Sequence, residues 1–185
     1  MNNSKPFVIG ISGASCSGKT WLANMIKNKR PDITTIFTLD SYYKNASFVN
    51  SLNFRHDNPN AIDFTLALTD LKKLINGLPA NIPLYDYVTH SVSGYKLQNA
   101  TPIIIVEGLF VFYNEEFRNL FDLKIWVESN EDKLLERRIK RDIAERGDNY
   151  TEALERYLKD VKPAYCKYIQ PCKIYSDIIV NSYEK

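Results

Sequence analysis

The segment Gly13-Ala-Ser-Cys-Ser-Gly18-Lys19-Thr20 follows the apolar run Phe7-Val-Ile-Gly-Ile11 and opens a helix-compatible stretch from Lys19 to about Lys29. It reads G-x-x-x-x-G-K-[ST] between a strand and a helix, and nothing else in the chain constrains the fold as tightly. A nest of inward-turned backbone N–H groups needs a buried strand to anchor it and a helix N-terminus to extend it. The eight residues Gly13, Ala14, Ser15, Cys16, Ser17, Gly18, Lys19 and Thr20 are therefore expected to cradle phosphate. Lys19 is placed to reach β- and γ-phosphates, and the Thr20 hydroxyl to ligate Mg²⁺.

The rest of the chain alternates in a way that suits this anchor. Strand-like runs fall at Phe7–Ser12, Ile33–Leu39, Ile103–Val106, Leu123–Val127 and Ile178–Val180. Helical patterns lie between them, near Lys19–Lys29, Ala61–Asn76, Asn114–Asn119, Asn130–Arg146 and Thr151–Tyr168. Short apolar strands separated by helices predict an α/β doubly wound parallel sheet of about five strands, with chemistry at the strands' carboxyl ends. Residues 82–97 alternate apolar and polar instead and predict a small β-hairpin insertion, with Ser93-Gly94 as its turn. At 185 residues, with no repeat or linker, the expectation is one domain spanning 1–185.

Two acids sit where strands end. Ile103–Val106 runs into Glu107, the position of a Walker B carboxylate that holds Mg²⁺ directly or through water. Ile36–Leu39 runs into Asp40, placed to take a proton from an attacking hydroxyl and to stand near the same metal. Further on, the run from Glu136 to Arg146 carries Arg137, Arg138, Arg141 and Arg146 beside an apolar stripe of Leu134, Leu135, Ile139 and Ile143. As a surface helix this would be Glu–Arg pairing; beside a phosphate loop it predicts a basic helical lid over about 137–160, with Arg141 and Arg146 neutralising the transferred group. Such a lid also excludes water.

Charge is balanced, with 24 Lys+Arg against 22 Asp+Glu, so neither nucleic acid nor an acidic membrane is indicated as a partner. Three cysteines without a C-x-x-C pattern, and no leader or long apolar stretch, lead us to expect a cytoplasmic protein. The guanine-reading Asn-Lys-x-Asp tetrad is missing: the nearest stretch, Asn28-Lys-Arg-Pro31, ends in proline. Together these features favour a small-molecule kinase using ATP and Mg²⁺ over a switch or motor.

Several separated motifs resemble the uridine–cytidine kinases, within the wider group that includes phosphoribulokinase. They are Gly10–Thr20, Leu39-Asp-Ser-Tyr-Tyr43, Asp57–Asp63, Ile82–Ser91, Val106-Glu-Gly-Leu-Phe110, Arg137–Gly147, Val161–Ala164 and Tyr175–Ile179. The resemblance implies that Asp40 is the general base for a ribose 5′-hydroxyl. It implies that Asp57 receives the 2′- and 3′-hydroxyls beside Arg138, and that Tyr43, Tyr85 and His90 line a pyrimidine pocket. A homo-oligomer, tetramer or dimer, is implied as well. The chain departs from the pattern at three places: Asp148 stands where a second arginine is usual, Arg156 where a glutamine is usual, and His56 where a phenylalanine is usual. Asp148 and Arg156 are thus expected at the base, with uridine or cytidine as acceptor. Another riboside such as nicotinamide riboside, a sugar phosphate, and a catalytically weak nucleotide-binding regulator are the alternatives.

Overall fold

The structure, a computed structural model, describes residues 5–51 and 57–182; His56 lies outside the described residues. Five strands form one parallel sheet: β1 (Phe7–Gly13), β2 (Thr34–Thr38), β5 (Ile103–Glu107), β6 (Leu123–Glu128) and β7 (Ile178–Asn181), in the order β2-β5-β1-β6-β7. The order reverses at β1, which pairs with β5 from Phe7↔Ile103 to Ile11↔Glu107 and with β6 from Ile9↔Leu123 to Gly13↔Val127. Loops after β1, β2 and β5 therefore open at one edge of the sheet, the switch point where α/β folds bind ligands.

The pleat splits the core into two. Val8, Phe37, Ile104, Val106 and Trp126 face the larger core, whereas Ile9, Ile11, Ile105, Ile125 and Val127 face the smaller one. Helix α1 (Lys19–Lys29) covers the second face through Leu22 and Ala23, and α3 (Phe64–Ile75) covers the first through Ala67, Leu68, Leu71 and Leu74. Each fully buried aliphatic side chain contributes roughly 1.5–3 kcal/mol, which suits the apolar stretches Ile103–Val106 and Ile125–Val127 within the sheet.

The structure corrects four expectations. The α3 helix begins at Phe64, three residues after the predicted Ala61, because the Asp63 carboxylate caps it by accepting from Leu66 N–H at 3.0 Å. A short helix not foreseen, α2 (Ala46–Ser51), follows the β2 loop, while the predicted Asn114–Asn119 forms α4 (Glu115–Arg118). The hairpin, β3 (Ala80–Asp86) and β4 (Ser91–Gln98), turns at residues 87–90 and not at Ser93-Gly94. Asp86 makes that turn by accepting from Val88 N–H at 2.7 Å and from the Thr89 hydroxyl at 2.9 Å, whereas Ser93 is the extra residue of an irregularity between Leu84↔Gly94 and Tyr85↔Val92. Lastly, the predicted helix Thr151–Tyr168 is α6 (Tyr150–Arg156) continued through two wide π turns, Tyr157–Val161 and Tyr165–Ile169. Pro163, lying between them, has no N–H for the regular ladder.

Candidate active site

Backbone geometry builds the phosphate loop. Gly13 has φ +150, and a Cβ there would lie 2.4 Å from the Val127 carbonyl oxygen, so β6 backbone presses directly on the loop's first residue. Ser17 N–H donates to Ala14 O at 3.2 Å, and Leu22 N–H to Gly18 O at 2.9 Å starts α1. The Lys19 ammonium folds back onto its own loop, donating to Ala14 O at 2.7 Å. Burial lowers its pKa, while Glu107 and Asp40 push it back up.

Two strand ends add oxygen donors beside Lys19. Thr20 Oγ1 donates to Glu107 Oε2 at 3.2 Å, with Glu107 buried at the end of β5. Asp40 sits in the 3-10 turn Leu39–Tyr42 that ends β2. Its Oδ1 is buried without a hydrogen-bond partner, and it lies 2.9 Å from where a Cβ on Gly108 would be. Burial, then the Glu107 charge, raise its pKa to about 7 against the opposing pull of Lys19 and the Leu109 N–H. A carboxyl poised near neutrality and aimed at an unfilled partner is suited to proton transfer. The pair Thr20–Glu107, with Asp40 next to it, is a hard oxygen set that fits a small divalent cation.

The basic helix α5 (Glu131–Arg146) converges on a residue the sequence reading passed over. Asp142 is fully buried and takes three guanidiniums. Arg138 Nε donates to Oδ2 at 2.7 Å, Arg141 Nη2 to Oδ1 at 2.9 Å, and Arg146 Nε lies 3.5 Å from Oδ1. Burial would push the Asp142 carboxyl up, but Arg138, Arg146 and Arg141 outweigh it and hold the pKa below 3.8. The i, i+4 spacing from Arg138 and to Arg146 was the available signal. Consequently Arg138 and Asp142 share the buried face with Leu134 and Ile139, and Ile143, expected in the apolar stripe, is exposed. Arg138 also donates through Nη1 to Ser15 Oγ at 2.9 Å, tying α5 to the phosphate loop.

The hairpin forms the facing wall. Tyr85 packs against Tyr43 at 5.7 Å between ring centroids, against Tyr87 at 5.2 Å, and against His90 at 6.5 Å. Tyr87 was also missed, because position 87 belongs to the turn that sequence reading placed elsewhere. Burial, followed by Arg146 and Arg156, lowers the His90 pKa. Asp57 is pushed up by burial and held down by Arg138, Arg146 and Arg141. Asp148 and Arg156 grip one another end-on, at 2.6 and 2.7 Å.

A cleft of about 1520 Å³ runs between these walls. Every residue nominated from sequence lines it except Gly13, Ala14 and Ser17 of the phosphate loop itself; Tyr87 also lines it, as do Arg137 and Asp160 from the stretch expected as the lid. Among the described residues no helix is long and apolar enough to cross a membrane.

Known proteins resemble the chain along nearly all of its length. The sequence profile of the Phosphoribulokinase / Uridine kinase family matches residues 8–185. A uridine kinase of Streptococcus agalactiae is 39% identical over 181 residues, covering 95% of this chain and 87% of its own. One from Clostridium novyi is 40% identical over the same coverage. Phosphoribulokinase from Rhodobacter sphaeroides shares the fold, with a TM-score of 0.72 at 19% identity over 96% of this chain and 70% of its own.

Proposed function

The chain belongs to the phosphoribulokinase/uridine kinase family, and from that premise we propose that it transfers the γ-phosphate of ATP to the 5′-hydroxyl of uridine or cytidine. The observation that carries the chemistry is Asp40: a buried carboxyl with an unpartnered oxygen and a pKa raised to about 7, in one cleft with Lys19.

In this reading the nucleoside lies between the hairpin wall and α5. Asp57 accepts the two ribose hydroxyls, a task suited to a carboxylate because it takes two hydrogen bonds at once. Tyr43, Tyr85 and Tyr87 enclose the base. His90, its pKa lowered, is neutral near pH 7 and carries one donor and one acceptor nitrogen. It can therefore meet either the uracil O4 or the cytosine amine. Asp148 and Arg156 meet the base from the α6 side.

Asp40 takes the proton from the 5′-hydroxyl as that oxygen attacks the γ-phosphorus; the bond to the bridging oxygen breaks and ADP leaves. Lys19, Arg141 and Arg146 balance the charge on the phosphoryl group in flight. Three guanidiniums against the single Asp142 charge leave a local excess of positive charge for that purpose. Thr20 and Glu107, with Asp40 alongside, would hold Mg²⁺. When bound, Mg²⁺ offsets charge on the β- and γ-phosphates.

The exposed hairpin side chains Leu84, Tyr95 and Leu97 support a homo-oligomer, dimer or tetramer. The odd cysteine count supports a cytoplasmic setting. An ADP-release assay with ATP, Mg²⁺ and a panel of ribosides tests the reading. Turnover with uridine and cytidine is expected, and an Asp40→Asn variant should lose at least about 10²-fold while still binding ATP. Turnover with nicotinamide riboside alone, or none with any riboside, overturns it.

A further inference from the structure

Outside the cleft the molecule buries a carboxylate that phosphoryl transfer does not use. Asp70, on α3, is 2% exposed and shares its helix face with Ala67, Leu71 and Leu74 of the larger core. It accepts from the Tyr42 hydroxyl at 3.2 Å and pairs with Lys73 Nζ at 2.8 Å. Tyr42 is itself 2% exposed, with its ring stacked on Phe37 of β2 at 5.2 Å between centroids. Burial and the Asp70 charge keep the phenol protonated, so it is the donor.

Such a pair is a costly way to fill a core. Apolar residues of similar volume are often as stable or more so, and a buried polar contact can be kept for the geometry it imposes. The geometry at stake here is that of the turn. Tyr42 ends the Leu39–Tyr42 turn, two residues after Asp40 and directly before Tyr43. The turn is stapled to the segment that follows Asp57: Asp63 N–H donates to Tyr42 O at 2.9 Å, Lys44 N–H to Ala61 O at 2.8 Å, and Tyr43 bridges Ile62. Tyr42 is thus where the turn bearing Asp40, the stretch led by Asp57, and helix α3 meet.

We infer that Asp70 is a positioning residue: by holding the Tyr42 hydroxyl from α3, it fixes the Leu39–Tyr42 turn and so aims the Asp40 carboxylate at the acceptor hydroxyl. The inference rests on Asp40 as the base. Lys73, at the rim, offsets the Asp70 charge without touching the turn.

The test uses the full chain assayed well below its unfolding temperature. Tyr42→Phe removes one oxygen and keeps the ring. It should lower kcat about tenfold and leave the KM for ATP within twofold, since the phosphate loop is built independently. Asp70→Asn keeps an acceptor for the hydroxyl and should hold kcat within about threefold of wild type, whereas Asp70→Leu should lose as much as Tyr42→Phe. The double variant Tyr42→Phe/Asp70→Leu should be no slower than Tyr42→Phe alone. A merely structural role would lower the unfolding midpoint and leave kcat unmoved, and that result overturns the inference. Additive kcat losses in the double variant also overturn it. Should Asp70→Leu fail to fold, Tyr42→Phe decides alone. An active Asp40→Asn would instead remove the base assignment, so the two failures are told apart.

Discussion

The phosphate loop and the arginine helix both line the cleft, but they are built by opposite means. The loop is built from backbone: Gly13 at φ +150 lies against the Val127 carbonyl, Ser17 N–H closes on Ala14 O, and one side chain, Lys19, returns to that same Ala14 carbonyl. The helix uses side chains: Arg138, Arg141 and Arg146 are gathered by one buried carboxylate, Asp142. A backbone cradle is preorganised by the fold itself, whereas gathered cations must be held against their mutual repulsion. This contrast predicts that chemistry and folding come apart in the loop and travel together in the helix.

The largest expected effect is in the loop. Lys19→Ala should cut kcat about 10³-fold, the scale for losing a charge aimed at the transition state. Its midpoint of thermal unfolding should stay within about 4 °C, roughly 1 kcal/mol for a chain this size. A collapse of stability in that variant would break the contrast. In the helix, Asp142→Asn should cost about 3 kcal/mol in urea unfolding, because three guanidiniums lose their counter-charge. It should also raise the KM for ATP. Unchanged stability with lost activity would show that the hub is not what holds the arginines.

Acid sharpens the same point. The folded Asp142 pKa is held below its ordinary 3.8, so its contribution is complete above about pH 4 and is lost as pH falls through the folded value. Wild type should therefore lose stability more steeply than Asp142→Asn below pH 4, with the two curves converging at lower pH. Parallel curves would assign the acid sensitivity elsewhere. Glycines make a smaller comparison. Gly13→Ala meets both a positive φ and a carbonyl oxygen and should cost about 2–3 kcal/mol. Gly147→Ala, at φ +75 in open space where α5 ends, should cost about 1 kcal/mol.

What was legible in the sequence follows the same division. The loop's place between β1 and α1 was legible, because a nest imposes glycines at fixed spacing and apolar strands announce themselves as runs. The sheet, its five strands and the acids Asp40 and Glu107 came with it. The hub did not, since a buried Asp inside a charged run looks like one more solvated residue until its three partners are seen around it. Tyr87 was hidden by the misplaced turn: Ser93-Gly94 carries turn chemistry, but Asp86 closes the hairpin earlier. Pro163 within a helical pattern was a visible warning that α6 would not run straight.

The smallest expected effect concerns the Asp148–Arg156 pair. Arg156 and Asp148 bond end-on at 2.6 and 2.7 Å, with Asp148 side chain 11% exposed and Arg156 36%. Two parallel hydrogen bonds favour the pair, but water screens the guanidinium, so its coupling should be about 1 kcal/mol and no more. A double-mutant cycle on thermal unfolding with Arg156→Ala and Asp148→Ala measures it. The double variant should be no less stable than the worse single one. The cycle on kcat/KM for uridine carries the functional half of the comparison. If the two act on the base as one unit, each single variant raises the nucleoside KM several-fold and the double adds little; the KM for ATP stays put because the loop is built without them. Independent, additive effects on the nucleoside KM would mean that Arg156 and Asp148 each act on the base separately and that their ion pair contributes nothing there.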